Sequence, residues 1–458
     1  MHTRRNFLGS MMLPAAVAAT APLAVSRRAH AALLRPFLDI PAADYPTILR
    51  DLAQPHTSLS DAAMDEDYWA AVARCYTQDR TCINLNNGGV SPAPAIAQEA
   101  MKKHLDYANT MPPPVALWKT QEPRKEHVRE MLARNWGVSP EEIAITRNSS
   151  ESLQICQLGI DLPAGGEILC MTQDYPRMVT TFRQRCRREG FVLKQVKIPI
   201  PCDDPKQILD IYREAIGPKT KLILISHIVN ITGQIMPVRE IVELARARAG
   251  RPEIPVIVDG AHALAHFDFK LSDLGCDYYG VSLHKWLCAP HGTGLLYVRK
   301  DKIKSLWPMM AADEKLDSDI RKFEEIGTHP AANFLAIAEA LTFHQAIGGP
   351  RKEARLRYLR DRWAVPLSKL DRVRIHTPMK PQSDGRPLSC AIATVQIEGV
   401  DSVKLNDHLW EKHGILTTAI KHDEFEGIRV TPNVYTFPDE IDRFREVLER
   451  VVREGLPA

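Results

Sequence analysis

Residues 254–299 read IPVIVDGAHALAHFDFKLSDLGCDYYGVSLHKWLCAPHGTGLLYVR. Two short apolar runs, PVIV and CDYYGVS, are separated by a polar stretch of helical length, the pattern of parallel strands joined by a crossover. The first run ends in Asp259 and the second just ahead of His284 and Lys285. In an open α/β sheet the carboxyl ends of the strands line the ligand crevice. The order therefore delivers a carboxylate (Asp259), imidazoles (His262, His284) and an amine (Lys285) to one rim. A lysine held there is suited to forming a Schiff base with a carbonyl. A nearby aspartate is suited to holding a pyridine nitrogen protonated, so that the ring withdraws electrons. Either residue alone would pass for a buried acid or a surface lysine. The ordered set Asp-x-x-His, Ser-x-His-Lys and Gly-Thr-Gly points to chemistry instead.

Working outward, EIAI, EILCM, FVLKQV, KLILIS and GLLYV alternate with amphipathic stretches, as expected of an α/β doubly wound sheet over residues 86–335. Residues 336–458 open with AIAEALTFHQAI and continue through CAIATVQI and GIRVTPNVY to DEIDRFREVLERVV, which predicts a smaller α+β domain. Residues 32–85, punctuated by Pro36, Pro41, Pro46 and Pro55, predict a loosely organised lead. Residues 1–31 place twin arginines (Arg4, Arg5) before a weak apolar run and the small-x-small site Ala29-His30-Ala31, which reads as a Tat export signal. Pro14 and Pro22 break that run, which is too short and weak for a membrane span; an uncleaved anchor is the alternative to a cleaved signal. A periplasmic or secreted protein with no membrane attachment after processing is expected.

The whole chain carries 59 Lys+Arg and 56 Asp+Glu, but residues 1–31 hold four of the arginines and no acid. The remainder is 55 against 56, so bulk charge supports no nucleic-acid or anionic-membrane partner. Nine cysteines without a CxxC pair read as neither a disulfide framework nor a zinc site, and an oxidising compartment leaves room for a single pair to close. His262 and His266 stand four apart, a spacing that could join two metal ligands on a helix face, but the glutamate of a zinc hydrolase is missing. No metal is expected.

VDGAHALA, SLHKW and GTGLLYVR together resemble the cofactor core of the class V aminotransferase family, fold-type-I enzymes that use pyridoxal 5′-phosphate. The resemblance implies a large domain with a mostly parallel seven-stranded sheet, completed by a small α+β domain that the lead joins. It implies that Lys285 carries the cofactor and that Asp259 salt-bridges the pyridinium, a contact worth roughly 1.5–3 kcal/mol. His262 belongs beside Asp259. Ser149 and Ser150, in TRNSSES at a helix start, match the phosphate-binding pair. Ser282 and His284 match further phosphate contacts, and Asn230 matches the partner of the phenolic oxygen. Tyr175, in QDYP, stands where many members stack a histidine on the ring. Thr293 and Thr328 match loops that reach the phosphate region, often from a neighbouring subunit, which implies a homodimer. Asn87 and Gly88 match a substrate-facing loop, and Arg429 matches the clamp for a substrate carboxylate.

The local wording is similar to the isopenicillin N epimerase-like subgroup. An epimerase-like or aminotransferase-like reaction at the amino group and Cα of an amino acid or peptide-like metabolite is expected. A β-lyase is the alternative, since it needs no extra protein signature. A desulfurase would need a nucleophilic cysteine on the small-domain loop, and residues 415–429 contain none. A protein of this fold that only binds, and a metal-dependent hydrolase using His262 and His266, are the remote alternatives.

Overall fold

In the computed structural model, residues 44–56, 58–247 and 253–457 are described. The export signal expected in residues 1–31 and the first part of the lead lie outside them. The central sheet comprises β1 (Ile143–Thr146), β2 (Glu167–Met171), β3 (Val192–Val196), β4 (Thr220–Ser226), β5 (Val256–Asp259), β6 (Tyr278–Ser282) and β7 (Gly294–Val298). Their spatial order is β1-β7-β6-β5-β4-β2-β3. The β2–β3, β2–β4, β4–β5 and β5–β6 pairs are parallel, whereas β7 runs antiparallel to both β6 and β1.

The reversal of β7 has a simple cause. Residues 283–293, which carry His284 and Lys285, are fewer than a parallel crossover ordinarily needs, so the chain turns straight back along β6. The polar stretch between β5 and β6 differs from the expected helical crossover. It folds as successive turns followed by a four-residue helix, Leu271–Leu274. Every residue of β5, β6 and β7 is buried. One apolar cluster, including Ile223, Val256 and Val258, covers one face of the sheet, and another, including Leu222, Leu224 and Ile257, covers the other.

A second, antiparallel sheet holds β8 (Val373–Ile375), β9 (Ala393–Ile397), β10 (Thr418–His422) and β11 (Phe425–Val430), in the order β10-β11-β9-β8. It packs against the helices Gly349–Leu367 and Pro438–Glu454 around Trp363 and Phe444. The described part of the lead is more ordered than its prolines suggest. It forms three short helices, Tyr45–Leu52, Leu59–Met64 and Glu66–Arg74, capped by the side chains of Asp44, Ser58 and Asp65. Arg355, from the helix Gly349–Leu367, ion-pairs with Glu66, and Ile83–Asn84 pairs in parallel with Ile415–Leu416. No helix among the described residues is long and apolar enough to cross a membrane.

Candidate active site

The β4–β5 register aligns Ser226 with Asp259, and both side chains emerge where the strands end. A cavity of about 240 Å³ opens there, lined by Asp259, His262, Ser282, His284 and Lys285 from the opening stretch. Ser149, Ser150, Tyr175 and Asn230 also line it. Asp259 accepts one hydrogen bond, from the Ala261 N–H at 3.0 Å, which leaves its second oxygen for the cavity. Gly260 permits this turn, because a Cβ there would lie 1.9 Å from the Tyr279 ring.

Burial pushes the Lys285 amine down to about 8; Asp259 opposes the shift and the Arg429 guanidinium adds to it. Burial raises the Asp259 carboxyl, and the Ala261 N–H and Lys285 counter part of that rise. His284 points Nδ1 at the Thr293 carbonyl, 3.0 Å away, so its hydrogen sits on Nδ1 and Nε2 is left as the other ring nitrogen. Burial lowers this imidazole to about 4.

The helix Ser149–Gly159 is capped by Asn148, whose side chain accepts from the Glu151 N–H. The serines are therefore not spent on the cap. The Ser149 N–H donates to Ser282 Oγ at 3.0 Å, and Ser282 Oγ donates to Ser149 Oγ at 2.8 Å. Free N–H groups and hydroxyls at a helix start form an anion site. Gly294 is what lets β7 run against this helix start, since a Cβ there would meet the Asn148 backbone at 2.6 Å.

Arg429 on β11 is 7% exposed. Its Nη1 donates to the Asn230 carbonyl at 3.2 Å and its Nη2 to Asn86 Oδ1 at 3.0 Å, while Nε has no partner. None of its described partners is a carboxylate. Burial lowers the guanidinium to about 10.

Five of the residues expected at the site do not line this cavity in the single chain: Arg429, which reaches it only through the carbonyl of cavity-lining Asn230, and four others. Asn87 is fully buried, and its amide is consumed by the Asn84 and Thr431 carbonyls and the Tyr435 hydroxyl. Gly88 donates its N–H to Thr431 Oγ1, and it is Gly89 that reaches the cavity. The Thr293 hydroxyl donates to the Pro290 carbonyl at 2.6 Å; its contribution is the carbonyl that orients His284. Thr328 is exposed and does not line the cavity of the single chain. His266 stands apart from His262 as a ligand, because both its ring nitrogens are committed to backbone groups. Sequence reasoning also missed Arg177 at the cavity and Asn86 as the partner of Arg429. Their neighbours in QDYPR and LNNGG were the available signal.

The aminotransferase class-V family model matches residues 83–422. The chain belongs to the class V aminotransferase family. It is 30% identical to an isopenicillin N epimerase of Streptomyces clavuligerus, over 82% of this chain and 96% of that one. It is 26% identical to a probable cysteine desulfurase of Vibrio cholerae serotype O1, over 71% and 82% of the two chains. Among solved structures, a complex of the cystine C-S lyase C-DES with cysteine persulfide aligns with TM-score 0.71 and 22% identity, over 82% and 99% of the two chains, a likeness of fold. The cavity of this class V member fits pyridoxal 5′-phosphate on its own chemistry. An amine whose charged form burial disfavours, a buried carboxylate with an oxygen to spare and a hydroxyl-rich helix start meet at one place.

Proposed function

We propose that this pyridoxal phosphate enzyme acts on the amino group and Cα of an amino acid or peptide-borne α-amino carboxylate, with an epimerase-like or aminotransferase-like outcome. The observation that carries the reading is Arg429. A buried guanidinium without a carboxylate partner, close enough to Lys285 to depress it, calls for an anionic ligand. A substrate carboxylate between it and Lys285 would complete the pair by a planar two-point contact.

Lys285 would hold the cofactor covalently, Asp259 its ring nitrogen, and Asn230 and His262 its polar ring edge. Ser149, Ser150, Ser282 and His284 would hold its phosphate, with Tyr175 flat against the ring. Bound there, pyridoxal phosphate supplies an aldehyde and an electron-withdrawing ring. Arg429 fixes the carboxylate and so aims the Cα–H. Lys285, whose amine is lowered to about 8, takes that proton and can return it. Tyr175, 40% exposed at the cavity, or a residue of the 417–424 loop would serve the opposite face, which inversion needs and transamination does not.

A desulfurase outcome finds less support. No described cysteine lines the cavity, and burial pushes the Cys390 thiol up to about 11, away from the thiolate such a reaction needs. The similarity to an isopenicillin N epimerase supports inversion at Cα. The match of the Thr293 and Thr328 loops to ones that often come from a neighbouring subunit supports a homodimer, and Arg4-Arg5 supports Tat export to the periplasm or beyond.

Holoenzyme incubated with candidate amino acids in deuterated water tests the proposal. Deuterium at Cα with inversion identifies an epimerase, and accumulation of the pyridoxamine form identifies an aminotransferase. Release of pyruvate or a sulfur species without either would overturn both in favour of a lyase.

A further inference from the structure

Trp286 follows Lys285 directly and is 1% exposed. Its indole N–H donates to His262 Nδ1 at 3.3 Å, and His262 Nε2 lies 3.1 Å from Lys285 Nζ. An indole nitrogen can only donate, so Nδ1 must be the accepting nitrogen of His262. Deep burial keeps this imidazole uncharged, and its single hydrogen is then on Nε2. That N–H faces Nζ, which can accept only as a neutral amine.

The indole is itself held in place. The His266 ring lies flat on it, with centroids 3.6 Å apart and 4° between the planes. His266 has a fixed tautomer as well: Nε2 accepts the Ala391 N–H at 2.9 Å, so Nδ1 donates to the His262 carbonyl at 2.7 Å. Lys352, buried on the helix Gly349–Leu367, donates to the Trp286 carbonyl. Trp286 stands in the SLHKW motif, but no role followed from its place there, and Lys352 carried no sequence signal.

We propose that Trp286 is a positioning residue: it fixes His262 as the Nε2–H tautomer, whose N–H faces Lys285 and favours the free amine over the ammonium. The inference rests on the reading of Lys285 as the cofactor-bearing lysine. Condensation with an aldehyde uses the amine lone pair, which an ammonium lacks. With the cofactor in place, the same Nε2–H stays a donor toward the cavity. The titratable and charged groups around the pair are Asp259 on β5, Arg429 on β11, His284 after β6, and His266 behind His262. Of these, only Asp259 favours the charged lysine.

Full-length protein carrying ring-¹⁵N histidine, recorded cofactor-free and cofactor-loaded, reports the tautomer through long-range proton–nitrogen correlations, with His262→Gln supplying the assignment. The Nε2–H form is expected in both states at neutral pH, and an Nδ1–H or doubly protonated His262 overturns the proposal. Uptake of pyridoxal 5′-phosphate by the cofactor-free chain, followed by absorbance against pH, gives the second reading. Its midpoint is expected near that of Lys285, about 8, and higher in Trp286→Phe. Below the midpoint, each unit of that displacement slows uptake about tenfold, while the alkaline plateau stays unchanged. An unchanged midpoint, or a fall in the plateau alone, assigns Trp286 a packing role and overturns the proposal. If the variant does not fold, the tautomer of the unaltered protein decides the matter. Borohydride reduction with peptide mapping tests separately whether Lys285 bears the cofactor, because the cofactor-free tautomer does not depend on that result.

Discussion

Replacing Arg429 separates a ligand-binding guanidinium from a structural one. Arg429→Met removes a two-point, charge-assisted contact to the substrate carboxylate, worth about 1.5–3 kcal/mol. That corresponds to a roughly 10- to 150-fold fall in kcat/KM. Arg429→Lys keeps the charge but loses the planar fork, so a loss of about tenfold is expected. Stability should move little, because two terms oppose. The Asn86 side chain and the Asn230 carbonyl lose a donor, at about 1–3 kcal/mol in all. In return, the chain no longer buries a cation whose Nε is unsatisfied and whose partners are all neutral. The assay is steady-state kinetics on a turned-over amino acid, with thermal unfolding and cofactor absorbance of the same preparations. If Arg429→Met kept kcat/KM within about twofold while the protein lost stability or cofactor, the clamp and the substrate class drawn from it would fall.

Lys285→Ala should abolish Cα deuterium exchange and leave no cofactor attached after borohydride treatment, as judged by peptide mass. Gly294→Ala forces a methyl against the Asn148 backbone at 2.6 Å, so the helix start must shift; a loss of about 1–3 kcal/mol in denaturant unfolding and weaker cofactor retention are expected. Glu324, beside the Glu325–Thr328 loop, pairs with Arg129 at 2.5 Å and Lys125 at 2.9 Å, and Glu324→Ala should cost about 1–3 kcal/mol, since Arg129 keeps Glu126 and Lys125 keeps Glu122. Burial pushes that carboxyl up, but the Arg129 hydrogen bonds and the two cations outweigh it and hold it below the ordinary value. Its stabilisation is therefore present above the unfolded value of about 4.3 and lost as pH falls through the folded one, so acid unfolding should lose a component in the variant. Arg4→Lys with Arg5→Lys should retain the protein in the cytoplasm, as shown by cell fractionation.

The sequence alone determined the sheet and the order of its functional groups. PVIV and YYGV carry no charge because central strands are buried on both faces, so Asp259 and Lys285 had to emerge at strand ends on one rim. The resemblance pointed to Ser149, Ser150, Ser282, His284 and Asn230, and all five line the cavity, at or after a strand end or at a helix start. Asn87 and Thr293 fall outside this chain's cavity for a different reason. Their residue types suit ligand contact, but partners at Thr431, Tyr435 and Pro290, which no local pattern announces, consume their polar atoms. Tertiary structure alone decided that Asn148 rather than a serine caps the helix, and that Asn86 holds Arg429. It also set Trp286 and His266 behind His262. Local sequence fixes which face of an element a side chain takes. Hydrogen-bond partners and tautomers are set by residues far apart in the chain, and they exist only once packing brings those residues within about 3 Å.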